Sequence, residues 1–333
     1  MRILLGVILV ATAAWAGYWF IGSTAAERGL RGWLDARGAE GWVANYSDVS
    51  TIGFPNRFDT TITDLELADP ATGIAWTAPF FQIFALSYRP NHIIAIWPDT
   101  HVFATPLERI EMQNSSIQAS VVFEPGTSLV LNRSTFVIEG LTLTSNAGWT
   151  AEVPEGRLAT RQTPARLNFH DIGFEATDLR PADPLLAQLD PTGLLPDRVE
   201  TLKLDVTLGF DAPWDRFAIE DARPGITAVE INVVKAQWGI MERWAAGDLT
   251  VDAQGVPEGK ITVKAKNWRD MLQVGVSAGW VPESLVPTIE GGFGLLASLS
   301  GDPKTLDAPL TFENGKVFFG PISLGPAPRL VLR

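Results

Sequence analysis

Thr201-Leu202-Lys203-Leu204-Asp205-Val206-Thr207-Leu208 alternates polar and apolar side chains without a break. Successive side chains of an extended strand point to opposite faces, so this stretch reads as a half-buried antiparallel strand with its leucines and valine on the dry side. The same period of two recurs in Ile117, Ala119, Val121 and Phe123, between Ser116, Gln118 and Ser120. It recurs again in Ile261, Val263 and Ala265, between Lys260, Thr262, Lys264 and Lys266. Residues 80–88 and 91–97 are apolar on both faces and are expected to lie deeper or to line an apolar cavity. Turn signals punctuate the chain at roughly 8–12-residue intervals, the spacing of stacked antiparallel strands. Asn314-Gly315 predicts a type I′ hairpin, because both central residues must tolerate positive φ. Gln254-Gly255 marks a second turn, and helical patterns are confined to 183–189, 268–276 and 284–300. The expected fold is mainly β: long curved antiparallel sheets with a few short helices and one N-terminal transmembrane helix.

That helix is read from residues 3–22, ILLGVILVATAAWAGYWFIG, which carry no charge. Twenty helical residues span roughly 30 Å, the thickness of a bilayer's hydrocarbon layer. Trp15, Tyr18, Trp19 and Phe20 gather at the C-terminal end, where amphipathic rings settle at headgroup depth. Arg2 favours a cytoplasmic N-terminus, whereas Arg28 and Arg31, beside Glu27, act against that orientation. A signal peptide is the competing reading, since Thr24, Ala25 and Ala26 follow the apolar run. The length of the run, its bulky aromatic end and its thin basic start favour an anchor. Under either reading the rest of the chain lies outside the cytoplasm. Ser23 is the expected N-cap of a juxtamembrane helix running to about Arg37, with Leu30, Trp33 and Leu34 as its apolar stripe and Gly38 and Gly41 as its stop. The organisation expected is an anchor or uncleaved signal at 1–22, a juxtamembrane helix at 23–41, a β-rich half at 42–180, a Pro-rich helical connection at 181–198 and a second β-rich half at 199–333.

Composition narrows the function. The chain has 333 residues, 46% hydrophobic and 19% charged, enough for one or two globular domains. A net charge of -12 without any Lys/Arg run repels phosphate backbones, so no nucleic-acid partner is expected. The absence of cysteine removes disulfides, thiolate metal sites and cysteine nucleophiles together. Gly275-Val276-Ser277-Ala278-Gly279 matches a G-x-S-x-G nucleophile elbow, but that triad needs a downstream histidine, and His92, His101 and His170 all precede it. Gly292-Phe293-Gly294-Leu295-Leu296-Ala297 resembles a relaxed dinucleotide fingerprint, yet Glu290 stands where a pyrophosphate would approach. The histidines lack metal-pair spacing, and His170-Asp171, the one candidate ligand pair, reads better as an exposed strand end. The acidic neighbours Asp64 and Glu66, Glu108 and Glu111, and Asp248 and Asp252 read as solvated strand faces. Ten tryptophans beyond the apolar segment, among them Trp76, Trp97, Trp149, Trp214, Trp238 and Trp280, read as core. No catalytic residue, cofactor or metal is expected, and the protein is read as a non-enzyme.

Val49-Ser50-Thr51-Ile52-Gly53-Phe54-Pro55-Asn56-Arg57-Phe58, leading into 62–68 and Ala78-Pro79, resembles the opening of proteobacterial domain-of-unknown-function family 2125. The closing Asn314-Gly315-Lys316-Val317 and Gly320-Pro321-Ile322-Ser323-Leu324-Gly325 resemble that family too. More remotely, the anchored β-rich layout is similar to AsmA-like envelope proteins, whose curved sheets are implicated in handling lipids. The resemblance implies single-pass attachment to an inner membrane with the bulk of the chain periplasmic. It assigns no catalytic or ligand residue. The functional expectation is a membrane-anchored protein that binds or transports lipid or another amphiphile in an apolar β-sheet groove. A structural protein of envelope assembly, with envelope proteins as partners, is the alternative, and a serine hydrolase using Ser277 the remotest one.

Overall fold

The uncharged N-terminal run and the stretch after it form one uninterrupted helix, α1 (Arg2–Ala39). Ser23 is therefore no N-cap. It lies mid-helix and buried, its hydroxyl donating to the Phe20 carbonyl at 3.2 Å. In this computed structural model all residues are described except 192, 194, 221, 240, 278, 280, 300, 301, 320, 321 and 333. The chain divides into two compact units, Met1–Pro125 with Phe136–Gly148, and Gly126–Thr135 with Trp149–Arg333.

In the first unit α1 is followed by β1 (Val43–Asn45), β2 (Asp48–Ile52), β3 (Arg57–Asp69), β4 (Ile74–Leu86), β5 (Arg89–Ile96), β6 (Thr100–Ala104), β7 (Arg109–Gln113) and β8 (Ser116–Phe123). The strand β9 (Leu131–Ser145) contributes its residues from Phe136 onward. β3 is the organising strand: β1, β2 and β4 all pair with it antiparallel. The helix covers one face of this sheet, where Leu34 and Leu65 (each 1% exposed) meet Val49 and Ile62. Edge-on ring contacts link His101 to Trp76, Phe81, Trp97 and Phe136 in turn, at centroid separations from 5.1 to 6.1 Å. Residues 80–86 of β4 and 91–96 of β5 do not lie deeper than the alternating strands, although their apolar composition leads one to expect it: none is buried and most are half-buried, whereas β3 buries Phe58, Thr60, Ile62 and Leu65.

The second unit is a meander in chain order. β10 (Thr150–Gln162) and β11 (Phe169–Leu179) precede the short helix α2 (Asp183–Leu189), and β12 (Val199–Phe210) follows it. After the single turn α3 (Phe217–Glu220) come β13 (Ile226–Trp238), β14 (Met241–Val251) and β15 (Pro257–Lys266). The helices α4 (Trp268–Ser277) and α5 (Val286–Leu299) intervene before β16 (Thr305–Glu313), β17 (Lys316–Phe319) and β18 (Ile322–Pro326). From β10 to β18 each strand pairs antiparallel with the next. The Pro-rich stretch at 181–198 lies inside this unit, between β11 and β12. The β16–β17 turn places Asn314 at φ 53° and Gly315 at φ 70°, as a type I′ hairpin requires.

Candidate functional site

Directly paired residues of antiparallel strands share a face, so the register of the second unit sorts its side chains. Phe174 lies opposite Leu158 on one side and Leu204 on the other, and Leu204 lies opposite Val234. The next row runs Ile172, Val206 and Ile231. Across β14 to β16 the same face carries Ala245 with Val263 in one row and Ile261 with Leu310 in another. A bulge at 232–233 in β13 absorbs one extra residue and keeps the apolar rows aligned. The opposite face is charged, with cross-strand pairs Glu175–Lys203, Asp248–Lys260 and Lys264–Asp307.

Helices cover one end of the apolar face. Trp268 and Leu272 of α4 and Ala297 of α5 close over Ala265 and Leu306, and the Phe293 ring sits 5.0 Å from that of Phe319. Toward β10–β13, Ala176, Val206 and Phe210 are buried, whereas Ile172, Phe174, Leu202, Leu204, Ile231 and Val234 are only half-buried and Leu158 is 40% exposed. At the end of the β10–β11 hairpin a cleft of about 420 Å³ is lined by Gln162, Arg166, Leu167, His170, Pro213 and Trp214. Arg166 is engaged there by Glu230, at 2.6 and 2.8 Å. His170 packs edge-on against Phe210, and burial pushes its imidazole down from 6.5 against the pull of Asp171.

A second organised surface surrounds the aromatic end of α1. The loop between β2 and β3 carries Gly53, Phe54, Pro55 and Asn56, with a cis Phe54–Pro55 bond, and wraps the helix. Trp15 Nε1 donates to the Pro55 carbonyl at 3.1 Å, Trp19 Nε1 to that of Arg57 at 2.7 Å and the Tyr18 hydroxyl to that of Ser87 at 2.6 Å. Phe54 packs edge-on against Trp19 and stacks on Phe20, with centroids 5.4 and 5.8 Å apart. Gly53 sits at φ 104°, and a Cβ there would come within 2.9 Å of the Arg57 carbonyl oxygen, so this turn requires glycine. The G-F-P-x-R-F run is thus the socket for the helix. Its sequence signal was visible, but its partner, sited more than thirty residues upstream, was not.

The remaining sequence candidates are dispersed. Gly275 and Ser277 lie in α4, not on a strand-to-helix turn, and the Ser277 hydroxyl donates to the Gln273 carbonyl at 2.9 Å. Gly292, Phe293 and Gly294 are interior to α5, so no glycine-rich loop opens a helix there. His101 is buried beside the Pro98 carbonyl, and His92 contacts the Ser120 hydroxyl at 2.9 Å. Asp64 accepts from Ser47, Glu108 from Ser145, and Asp252 caps its own turn at the Gln254 and Val256 amides. Among the described residues no three His, Asp or Glu side chains gather as a metal site. Trp280, Ala278, Ser300, Gly320 and Pro321 lie outside the described residues.

Fold and surfaces together define an antiparallel β protein carrying one N-terminal helix long and apolar enough to cross a membrane. Residues 19–328 match the family described as an uncharacterized protein conserved in bacteria (DUF2125), and the chain belongs to that family. No curated protein and no solved structure matches it.

Proposed function

We propose that the chain is a non-enzymatic protein, anchored in the inner membrane with its bulk in the periplasm, that holds the acyl chain of a lipid or similar amphiphile against the apolar face of β10–β16. The observation that carries this reading is the half-buried apolar patch of Ile172, Phe174, Leu202, Leu204, Ile231 and Val234 on strands whose backbone groups are spent in the ladder. An acyl chain needs no hydrogen bond from its site, and each methylene it buries contributes about 0.8 kcal/mol. The charged reverse face keeps the sheet soluble while the front face is occupied.

Retention of α1 is supported by its part in the fold. Trp19 is 6% exposed and Leu34 1%, and Glu27 accepts the Thr51 amide at 2.7 Å. Cleavage after Ala26 would strip Trp19 from Phe58 and Arg57. Native mass spectrometry of delipidated full-length protein remixed with phospholipid tests the site. Uptake that falls in Leu204→Glu and Val234→Glu is the expected outcome, whereas uptake indifferent to both substitutions would locate the lipid elsewhere and sink the reading.

A further inference from the structure

We infer that the loops at 52–57 and 87–89 form a foot that enters the boundary between headgroups and acyl chains of the bilayer beside α1. The inference rests on the reading of α1 as a retained membrane helix and adds a second membrane contact to it.

The argument starts from length. From Ile3 to Trp15 the helix rises only about 18 Å at 1.5 Å per residue, against a hydrocarbon layer of about 30 Å. From Trp15 onward one side of α1 is already occupied by the loops, through the hydrogen bonds of Trp15, Tyr18 and Trp19 to Pro55, Ser87 and Arg57. The free part of the helix is too short by on the order of 10 Å. Residues 15–22 supply the shortfall, and whatever is bound to them goes in with them.

The outer surface of the loops suits that position. Ile52 is 68% exposed, Phe54 53% and Tyr88 57%, and on the helix itself Phe20, stacked on Phe54, is 61% exposed and Ile21 73%. These residues extend the apolar surface of the span sideways, and a bilayer is the occupant continuous with that span. Arg57 and Arg89 are exposed at the same loops, with stems long enough to keep their guanidinium groups among lipid phosphates while their neighbours are immersed. Arg57 also pairs with Asp59 at 3.0 Å and lies over the Phe84 ring, which holds it at the edge of the foot.

Irregular backbone is costly at membrane depth unless its polar groups are already bonded. Here three loop carbonyls are taken by the indole and phenol donors of the helix. The Asn56 and Arg57 amides turn back onto the Gly53 carbonyl at 3.2 and 2.9 Å, and the Ser87 amide reaches the Asn56 carbonyl at 2.9 Å. The aromatic end of α1 thus supplies the loops with the hydrogen bonds that water would otherwise provide.

The chain has no cysteine, so single-cysteine labelling needs no background removal. Ile52→Cys and Tyr88→Cys replace exposed side chains, and Val10→Cys reports the span. Each full-length variant, checked for native circular dichroism, is labelled with the fluorophore NBD and reconstituted into phosphatidylcholine–phosphatidylglycerol vesicles carrying brominated acyl chains. The expected result is blue-shifted emission at 52 and 88, quenched most by bromines near the headgroup, with Val10 quenched most by deep bromines. Labels at 52 and 88 that stay in water while Val10 is quenched overturn the foot and leave the anchor standing. Labels at 52 and 88 that are shielded yet unquenched overturn it in favour of a protein contact. A Val10 label that is unquenched removes the anchor and the foot together.

Discussion

Trp19 shows how much one side chain of the apolar segment contributes beyond hydrophobicity. Its indole is 6% exposed, packs against Phe54 and Phe58, and satisfies the Arg57 carbonyl. Trp19→Phe keeps most of the apolar contact but orphans that carbonyl, so a loss of about 1–3 kcal/mol is expected in urea unfolding of detergent-solubilised protein. A second expectation concerns pH. Burial pushes the imidazoles of both His101 and His170 below 6.5. The unfolded chain therefore takes up protons first on acidification, and stability, complete above pH 6.5, declines as the pH falls below it. Asp171 works in a lower range: burial raises its carboxyl, but hydrogen bonds from Thr163, Arg161 and Thr207 outweigh that and hold it below 3.8. The slope of the urea midpoint against pH should be shallower in His170→Phe, and an unchanged slope would remove His170 from the account. His170 is buried and not the exposed strand end that its Asp171 neighbour suggests, and this was legible, because His170 alternates onto the face of Ile172, Phe174 and Ala176; His101 lies in Thr100–Ala104, which has no alternation to place it.

Strand identity was the most legible layer, since the period of two in residues 201–208 and 260–266 follows from which face is wet. The Asn314-Gly315 hairpin was legible for the same local reason. A Cβ at Gly315 would meet nothing nearer than Val256 at 3.9 Å, so the first penalty on Gly315→Val comes from φ 70° and not from a Cβ clash. A β-branched residue held there costs on the order of 1–2 kcal/mol, readable as a lowered thermal midpoint. Local punctuation at Gly22-Ser23 suggests a helix restart, yet α1 runs through it unbroken. Tertiary contacts override it: the Phe58 ring lies where a Cβ on Gly22 would come within 2.5 Å, and Glu27 and Arg31 bond the backbone of β2. No local pattern announces that a loop thirty residues downstream needs a smooth helix surface at that point.

The division of the chain was the least legible layer. Prolines at 181–196 mark a visible discontinuity in sequence, yet the two compact units part at 125–126, 135–136 and 148–149. A compact unit is defined by which strands pair, and pairing partners such as β1 with β3 or β7 with β9 are separated by variable loops that carry no label. The apolar face of the second unit was legible strand by strand; its continuity emerged only from the register. For the first unit a truncation gives a decisive test. Deleting residues 1–26 mimics signal cleavage while removing Trp15, Tyr18 and Trp19 from their carbonyls and uncovering Phe58. Calorimetry should show its transition lowered or lost, and a transition equal to that of the full chain would favour a cleaved leader.

The unbroken course of α1 from Arg2 to Ala39 also governs motion. Most tethered domains hang on a flexible leash and sweep a wide volume above the lipid surface. A shaft about 57 Å long, at 1.5 Å per residue, bolted to the sheet at Leu34 and again at Trp19, has no hinge in it. Under the proposed anchoring, any tilt or rotation of the apolar half of this helix in the bilayer is passed straight to the first unit, as a keel turns with its rudder.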